Sequence, residues 1–224
     1  MDFNLAMSHV IGSAHPRYAL LMLHGYGSNG QDMLDYAQHL SAYLPQVVFI
    51  APDAPNVVGP DAYAWYELDI SSLEDSPLIG ERYCRQLKNI CLNKSTYISM
   101  LIDEIKLKYS LENKQLGLLG FSQGGLLALV TGLSIQPSLS CVVASSSIPL
   151  VEEGGNRWLR SHPACLLTHG KIDEVVPAVA MDVTQKTLQK EGVPVETCLS
   201  PTLMHGIDSV CQQATIRFLQ SLWQ

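Results

Sequence analysis

The sequence predicts an α/β fold, in which a doubly wound and mostly parallel sheet forms a single domain over residues 1–224. Short apolar runs alternate with segments of helical periodicity along the chain, which is the pattern of the strands and helices that build such a sheet. The runs are continuously apolar, as expected of parallel strands covered by helices on both faces. A chain of 224 residues with 47% hydrophobic and 16% charged residues suits one domain with a sizeable core.

The first quarter of the chain predicts an edge element, two buried strands and one helix. Residues 1–17 are mixed in character and suit an edge strand or an arm. Residues 18–23 are apolar throughout and predict a buried parallel strand, and residues 47–50 predict the next one. The helix between these strands carries its apolar residues at helical spacing: Met33, Ala37, Leu40 and Leu44.

Residues from about 53 to 93 show poor periodicity and many Pro, Gly, Asp and Ser residues. We expect a long irregular region here that flanks a functional site, because long loops in compact domains are usually functional or disordered. Trp65 and Tyr66 are bulky side chains in this region with no predicted strand or helix to belong to. The sequence therefore predicts that they form a wall or partial lid and contact a substrate, with ordinary loop packing as the alternative.

The rest of the chain continues the alternation of helices and strands. An apolar stripe on residues 98–105 predicts a helix, and the central strand begins at residue 116. Further strands are predicted at residues 139–145, 164–169 and 193–199. Pro177 suits the first turn of a helix that runs to about residue 190, and Ser209 with Gln212 has the capping-box spacing that opens a final helix.

The charge balance argues against nucleic acid as a partner. The chain has 14 Lys and Arg residues against 21 Asp and Glu, a net charge of −7, and its basic residues do not cluster. Its start is acidic and no apolar run is long enough for a secretory signal or a membrane span. We therefore expect a cytoplasmic protein that does not span a membrane. Contact with a membrane surface and formation of a homodimer both stay open.

The cysteines and histidines give no sign of a disulfide framework or a metal site. The six cysteines are scattered and predict reduced thiols, with a Cys84–Cys91 disulfide as the less favoured alternative. The seven histidines form neither an HExxH motif nor a tight cluster. We expect no metal.

The pattern Gly120-x-Ser122-x-Gly124 lies between the central strand and an apolar helix. In this context it is the signature of a nucleophile elbow, a tight turn that exposes a reactive serine. The two glycines allow the strand and the helix to approach each other without a clashing Cβ. The N-terminus of the helix directs its N–H groups and the positive end of its dipole at the serine, where an oxyanion would develop. We expect Ser122 to be a nucleophile.

A serine needs a base, and in this fold type the chain order is serine, acid, histidine. His205 follows the last strand, so it lies at the carboxyl edge of the sheet, where open α/β sheets place their sites. His162 precedes a strand and therefore lies at the opposite edge. His169 lies at the correct edge but is followed immediately by Gly170, and the acid must come between the serine and the base. His205 is the predicted base.

The predicted acid is Asp173, which follows the strand that ends near residue 169 and would orient the imidazole. Its neighbour Glu174 is the alternative. Asp182 lies within a predicted helix, and Glu152 and Glu153 follow a different strand, so these residues are less favoured.

An oxyanion needs two backbone donors close to the serine. One is expected from Gln123, the residue after the nucleophile, and the other from the loop after the first buried strand. That loop begins His24-Gly25-Tyr26-Gly27, so we predict the N–H groups of Tyr26 and Gln123 as the oxyanion hole.

Nearly the whole chain resembles the phospholipase/carboxylesterase family of α/β-hydrolases, which includes the acyl-protein thioesterases. The resemblance rests on LHGYG (residues 23–27), AWY (64–66), GFSQGG (120–125), HGKIDEVVP (169–177) and MH (204–205), which occur in the family's order and at similar spacing. It implies an α/β-hydrolase fold, the triad Ser122, Asp173 and His205, oxyanion donors at Tyr26 and Gln123, and hydrolysis without a cofactor. Tyr26 stands where the family often has Leu.

The sequence thus predicts a serine hydrolase of carboxylic esters or thioesters that acts through an acyl-enzyme on Ser122. The expected substrates are small-molecule or lipid esters and thioesters with an apolar acyl chain. One alternative is a catalytically silent α/β-hydrolase fold that binds a ligand or partner. The other is a peptidase or lactone hydrolase of the same fold.

Overall fold

The computed structural model of the chain describes residues 8–68, 80–151 and 158–223. In these ranges, helices flank a seven-stranded sheet, and a two-stranded hairpin forms a separate small sheet. The strands are β1 (Ser8–Gly12), β2 (Tyr18–Leu23), β3 (Val47–Pro52), β4 (Asn56–Gly59), β5 (Ala62–Ala64), β6 (Leu116–Phe121), β7 (Cys141–Ser145), β8 (Ala164–Gly170) and β9 (Val195–Ser200). The α-helices are α1 (Gly30–Ser41), α2 (Glu81–Tyr109), α3 (Gln123–Ser134), α4 (Val179–Lys190) and α5 (Ser209–Leu222).

The large sheet confirms the predicted doubly wound, mostly parallel architecture of an α/β-hydrolase fold. Its strand order is β1-β3-β2-β6-β7-β8-β9, in which β1 runs antiparallel to β3 and every other neighbouring pair is parallel. From β2 the chain proceeds outward to β3, and from β6 it proceeds in the opposite direction to β9. The winding therefore reverses between β2 and β6, and sites in open α/β sheets form at such a reversal.

The two faces of the sheet bury separate apolar cores. In β2, Ala19, Leu21 and Leu23 pack into the core that includes α2, α3 and α4, whereas Leu20 and Met22 pack into the core that includes α1 and α5. All five side chains are at most 1% exposed. Successive side chains of a strand point to opposite faces, so a strand covered on both sides is apolar at every position.

The prediction of an irregular region at residues 53–93 is wrong for two parts of this range. Residues 56–64 form the β4–β5 hairpin, and α2 begins at Glu81, well before the predicted helix. The early turns of α2 bury Cys84, Leu87 and Cys91 at helical spacing. This apolar periodicity is difficult to recognise in the sequence because most of the surrounding residues are polar. Asp61, with a φ of 50°, turns the chain between two strands too short to show a clear alternation. Residues 69–79 lie outside the described residues.

Three helix ends differ from the prediction. Pro177 precedes α4, which begins at Val179, and does not lie in its first turn. Leu44 lies beyond the end of α1 at Ser41, although it is buried as predicted. At the start of α5 the cap is Asp208, whose Oδ1 accepts the N–H of Cys211 at 3.0 Å, so the predicted capping box at Ser209 is wrong by one residue. An ionised Asp at this position also interacts favourably with the positive end of the helix dipole.

The six cysteines are free thiols. Cys84 and Cys91 lie on the same helix seven residues apart, a rise of roughly 10 Å, which is too far for a disulfide. Across residues 8–68, 80–151 and 158–223, no helix has both the length and the apolar character that a membrane span requires.

Candidate active site

The loops that carry the predicted site residues meet at one edge of the sheet. They follow β2, β6, β8 and β9, and the carboxyl ends of these parallel strands point the same way. Backbone hydrogen bonds join the last two loops: Lys171 N–H donates to Ser200 O at 2.8 Å, and Ile172 N–H donates to Leu203 O at 3.2 Å. These bonds bring together Asp173 and His205, which are 32 residues apart in the chain.

Ser122 lies on a strained turn between β6 and α3. Its φ of 51° and ψ of −113° are values that residues with a side chain rarely adopt. A Cβ on Gly120 would collide with the carbonyl of Gly124, and a Cβ on Gly124 would collide with the carbonyl of Leu23. The N–H of Ser122 donates to Ser145 O at 2.9 Å, which anchors the turn to β7. The turn has the form of a nucleophile elbow.

The imidazole of His205 contacts both other members of the predicted triad. Its Nε2 lies 3.0 Å from Ser122 Oγ, and its Nδ1 lies 2.8 Å from Asp173 Oδ2. The ring of Phe121 packs against it, with ring centroids 4.9 Å apart. The side chain of His205 is thus held by one packing contact and by a hydrogen bond at each ring nitrogen.

The carboxylate of Asp173 is buried among donors. Its Oδ1 accepts the backbone N–H groups of Val175 at 3.0 Å and Val176 at 2.8 Å. Its Oδ2 lies 2.8 Å from His205 Nδ1 and 3.4 Å from His169 Nε2. Burial alone would raise the pKa of Asp173, but hydrogen bonds from His169, His205 and Val176 together hold the pKa well below its usual range. Asp173 is therefore ionised at neutral pH.

The ionised carboxylate of Asp173 decides the tautomer of His205. A carboxylate can only accept, so Nδ1 of a neutral His205 carries the proton and donates it to Asp173. Nε2 then presents a lone pair to Ser122, whose hydroxyl donates. Such an arrangement can withdraw the hydroxyl proton as the serine oxygen attacks an electrophilic carbon.

The alternative histidines occupy other places. His162 is exposed, and its Nε2 donates to Glu191 O at 3.1 Å. His169 is buried, and its Nε2 donates to Val176 O at 2.8 Å while it also approaches Asp173. His169 therefore supports the carboxylate at Oδ2, the same oxygen that His205 contacts, and sequence reasoning missed this contact. The spacing of four residues between His169 and Asp173 was its only signal.

Two of the alternative acids, Glu174 and Asp182, are exposed and make no contact with the imidazole of His205. Glu174 is exposed although it adjoins the buried Asp173, because consecutive residues of the loop point in different directions. Asp182 lies on the exposed side of the first turn of α4. Glu152 and Glu153 lie outside the described residues.

The residues predicted to supply the oxyanion donors adjoin Ser122, Gln123 directly in the chain and Tyr26 through its neighbour Gly25. Gln123 is the first residue of α3, a position whose N–H has no partner within the helix. Tyr26 lies in the loop after β2, beside Gly25, where an added Cβ would lie 3.4 Å from the Cβ of Ser122. His24 holds the base of this loop, since its Nδ1–H donates to Gly25 O at 2.7 Å and its Nε2 accepts Ala54 N–H at 3.0 Å.

Trp65 and Tyr66 do not form the exposed wall or lid that the sequence predicts. Their side chains are 1% and 2% exposed, so neither is free to face a substrate. The Trp65 indole N–H donates to His24 O at 2.8 Å, and the Tyr66 hydroxyl donates to Gln123 O at 3.3 Å. Both residues pack behind the predicted oxyanion donors, where their bulk belongs to the core.

The sequence pattern that defines the Phospholipase/Carboxylesterase family matches residues 6–223. The chain belongs to this family. Membership supports hydrolysis of esters as the class of reaction. Among the residues that the structure describes, no group of three or more His, Cys, Asp or Glu side chains is arranged to hold a metal ion.

Individual proteins that this chain resembles are distant in sequence and similar in structure. Acyl-protein thioesterase 1 of Aspergillus fumigatus is 26% identical over 216 residues, which cover 91% of this chain and 87% of that protein. The crystal structure of esterase PE8 is 26% identical and covers 96% of this chain and 98% of its own, with a TM-score of 0.85. A Bacillus cereus carboxylesterase is similar in fold, with a TM-score of 0.73 at 13% identity over 96% of this chain and 94% of its own.

Acid should destabilise this member of the phospholipase/carboxylesterase family through Asp173. The pKa of this carboxyl is lower in the folded than in the unfolded chain. Its contribution to stability is therefore fully present above the unfolded-state pKa of about 4, and it is lost as the pH falls towards the folded-state value. We expect the free energy of unfolding, measured by urea titration, to decline between about pH 5 and about pH 3.

The variant Asp173→Asn should flatten this acid decline, because an amide does not titrate. Glu174→Gln removes the exposed neighbouring carboxyl and should keep the wild-type slope. An unchanged slope in Asp173→Asn would show that Asp173 has no part in the acid sensitivity.

Proposed function

We propose that this chain is a serine hydrolase that cleaves carboxylic esters or thioesters with an apolar acyl chain, through an acyl-enzyme on Ser122. The observation that carries the proposal is the hydrogen-bonded relay from Ser122 Oγ to His205 Nε2, at 3.0 Å, and from His205 Nδ1 to Asp173 Oδ2, at 2.8 Å. A hydroxyl, a neutral imidazole and an ionised carboxylate in this order are the groups that nucleophilic acyl transfer needs.

In the acylation half-reaction, His205 Nε2 accepts the hydroxyl proton while Ser122 Oγ forms a bond to the acyl carbonyl carbon. The carbonyl π electrons move onto oxygen, and the N–H groups of Tyr26 and Gln123 stabilise the oxyanion. Asp173 stabilises the imidazolium that forms and keeps its ring oriented. The carbonyl then re-forms, the bond to the leaving group breaks, and His205 Nε2 donates its proton to the departing alkoxide or thiolate.

In the deacylation half-reaction, a water molecule replaces the alcohol or thiol. His205 Nε2 accepts a proton from the water molecule as the water oxygen attacks the ester carbonyl carbon of the acyl-enzyme. Collapse of the second tetrahedral intermediate breaks the bond to Ser122 Oγ, and the imidazolium returns the proton to that oxygen. The products are a carboxylic acid and the original free serine.

Exposed apolar side chains beside the relay support an apolar acyl group. Ile172 and Val175, on either side of Asp173, are 51% and 52% exposed, and Met204, next to His205, is 55% exposed. Tyr26, in the loop after β2, is also exposed. An acyl chain that covers such side chains gains roughly 25 cal/mol for each Å² of apolar surface removed from water. The names of two similar proteins, an acyl-protein thioesterase and an esterase, agree with this substrate class.

The proposal is tested with the purified protein, a fluorophosphonate probe and a substrate panel. We expect the probe to form a covalent adduct with Ser122, identified by peptide mass spectrometry, and to abolish hydrolysis. The panel consists of p-nitrophenyl esters of increasing chain length, a palmitoyl thioester and a lysophospholipid. We expect kcat/KM to rise with acyl length. No adduct at Ser122 and no hydrolysis would instead support the catalytically silent fold.

A further inference from the structure

Residues 63–66 form a bridging segment between the loop that carries Tyr26 and the N-terminus of α3, which carries Gln123. On one side, Gly27 N–H donates to Tyr63 O and Tyr63 N–H donates to Ser28 O, each at 2.9 Å. These bonds tie the bridging segment to the loop that contains Tyr26. The indole N–H of Trp65 makes a third bond to the same loop, to His24 O at 2.8 Å.

On its other side the bridging segment is bonded to Gln123. The Gln123 side-chain Oε1 accepts Trp65 N–H at 2.9 Å, and its Nε2 donates to Tyr66 O at 2.8 Å. The Tyr66 hydroxyl donates to the main-chain carbonyl of Gln123 at 3.3 Å. Only a side chain with both a donor and an acceptor can make this paired contact with a backbone, which explains an amide at a position that is 0% exposed.

We propose that Trp65 is a positioning residue, and that the bridging segment sets the separation of the Tyr26 and Gln123 N–H groups. This inference rests on the proposed function. It assigns Trp65 a role different from that of an acyl-facing wall, because its side chain is 1% exposed and directed at the carbonyl of His24.

The physical reason is the strict geometry of an oxyanion hole. Its donors act at about 2.7–3.1 Å from the position that the oxyanion will occupy, and loss of one donor lowers kcat by roughly 10²–10³-fold. Two donors on separate segments of the chain keep a fixed separation only if something rigid connects these segments. Trp65 is suited to this role because it bonds to both, through its backbone N–H and its indole N–H. Displacement of a donor without its loss should lower kcat by a smaller factor, about 10-fold.

The test is Trp65→Phe, which keeps an aromatic ring and removes the indole N–H. We expect kcat for a p-nitrophenyl ester to fall about 10-fold, with KM within about twofold of wild type. The oxyanion develops only in the transition state, so binding of the substrate in the ground state should be almost unchanged. The inhibition constant of an alkyl boronic acid, which forms a tetrahedral adduct with a serine, should rise by a similar factor. The pH at which kcat/KM reaches half its maximum should not move, because His205 keeps its partners.

The matched control is Trp223→Phe. The Trp223 indole N–H donates to Ser140 Oγ at 2.8 Å, and its ring is 5% exposed and stacked on Tyr18. Ser140 directly precedes β7, at the edge of the sheet opposite Ser122. This variant therefore also loses an indole N–H hydrogen bond, one that is partly buried and far from the site. We expect a lower thermal midpoint, as in Trp65→Phe, with wild-type kcat and boronate inhibition.

A folded Trp65→Phe protein with kcat and boronate inhibition within about twofold of wild type would overturn the inference. If Trp65→Phe does not fold, the inference is tested with Tyr66→Phe, which removes only the hydroxyl that donates to Gln123 O. A fall in kcat of at least about threefold at unchanged KM supports the positioning role, and an unchanged kcat refutes it. Failure of the proposed function is distinguishable, because the wild type would then either not hydrolyse esters or keep its activity in Ser122→Ala, whatever the bridging segment does.

Discussion

Ser122→Ala should lower kcat/KM for p-nitrophenyl esters by at least about 10⁴-fold, with little change in the thermal midpoint. The substitution removes the only atom that forms the covalent bond to the acyl group in the proposed mechanism. His205 and Asp173 stay hydrogen-bonded to each other, so the rest of the site stays in place. Steady-state hydrolysis at neutral pH, with circular dichroism of the same samples, measures both effects.

The matched control for Ser122→Ala is Ser134→Ala, at the other end of α3. The Ser134 hydroxyl donates to Thr131 O at 3.0 Å, so its removal costs a local hydrogen bond and touches nothing in the site. Ser134→Ala should keep wild-type kcat/KM. If Ser122→Ala keeps more than about a tenth of the wild-type activity, Ser122 is not the nucleophile.

Asp173→Asn should lower kcat by about 10⁴-fold without changing the shape of the site. The amide oxygen can still accept from Val175 and Val176, but the amide nitrogen can only donate to His205 Nδ1. The proton of a neutral His205 then moves to Nε2, which can no longer accept the proton of Ser122. The variant should also lose reactivity with the fluorophosphonate probe, as measured by the rate of labelling.

Glu174→Gln is the control for this second prediction, because Glu174 is the adjacent acid that the sequence leaves as an alternative. Its side chain is exposed, and the variant should keep wild-type kcat. Loss of activity in Glu174→Gln together with retention in Asp173→Asn would reverse the assignment of the acid.

The parts of the fold that the sequence predicts are those whose signal is local. Strands such as β2 and β6 are recognisable because both of their faces are buried, which leaves the chain continuously apolar. The turn at Ser122 is recognisable because its glycines are required at fixed offsets. The positions of Asp173 and His205 follow from one topological rule, since both residues come after parallel strands and lie at the same edge of the sheet.

The parts that the sequence does not predict depend on pairing between distant residues. Trp65 has no local periodicity, so nothing in its neighbourhood indicates that it is buried against a loop some 40 residues away, at His24 O. The side chain of Gln123 has the same limitation, because its partners are backbone groups 57 and 58 residues distant. His169 is passed over for a different reason: a rule that seeks one base discards a second histidine that supports the acid.

The most direct measurement of the central claim is a rapid-quench experiment followed by mass spectrometry. The wild-type protein is mixed with p-nitrophenyl butyrate, quenched in acid within the first turnovers, digested and analysed for acylated peptides. The account predicts a butyryl group on the peptide that contains Ser122, which disappears once the substrate is exhausted and is absent from Ser122→Ala. Rapid hydrolysis by the wild type with no acyl group on Ser122 at any quench time would contradict it.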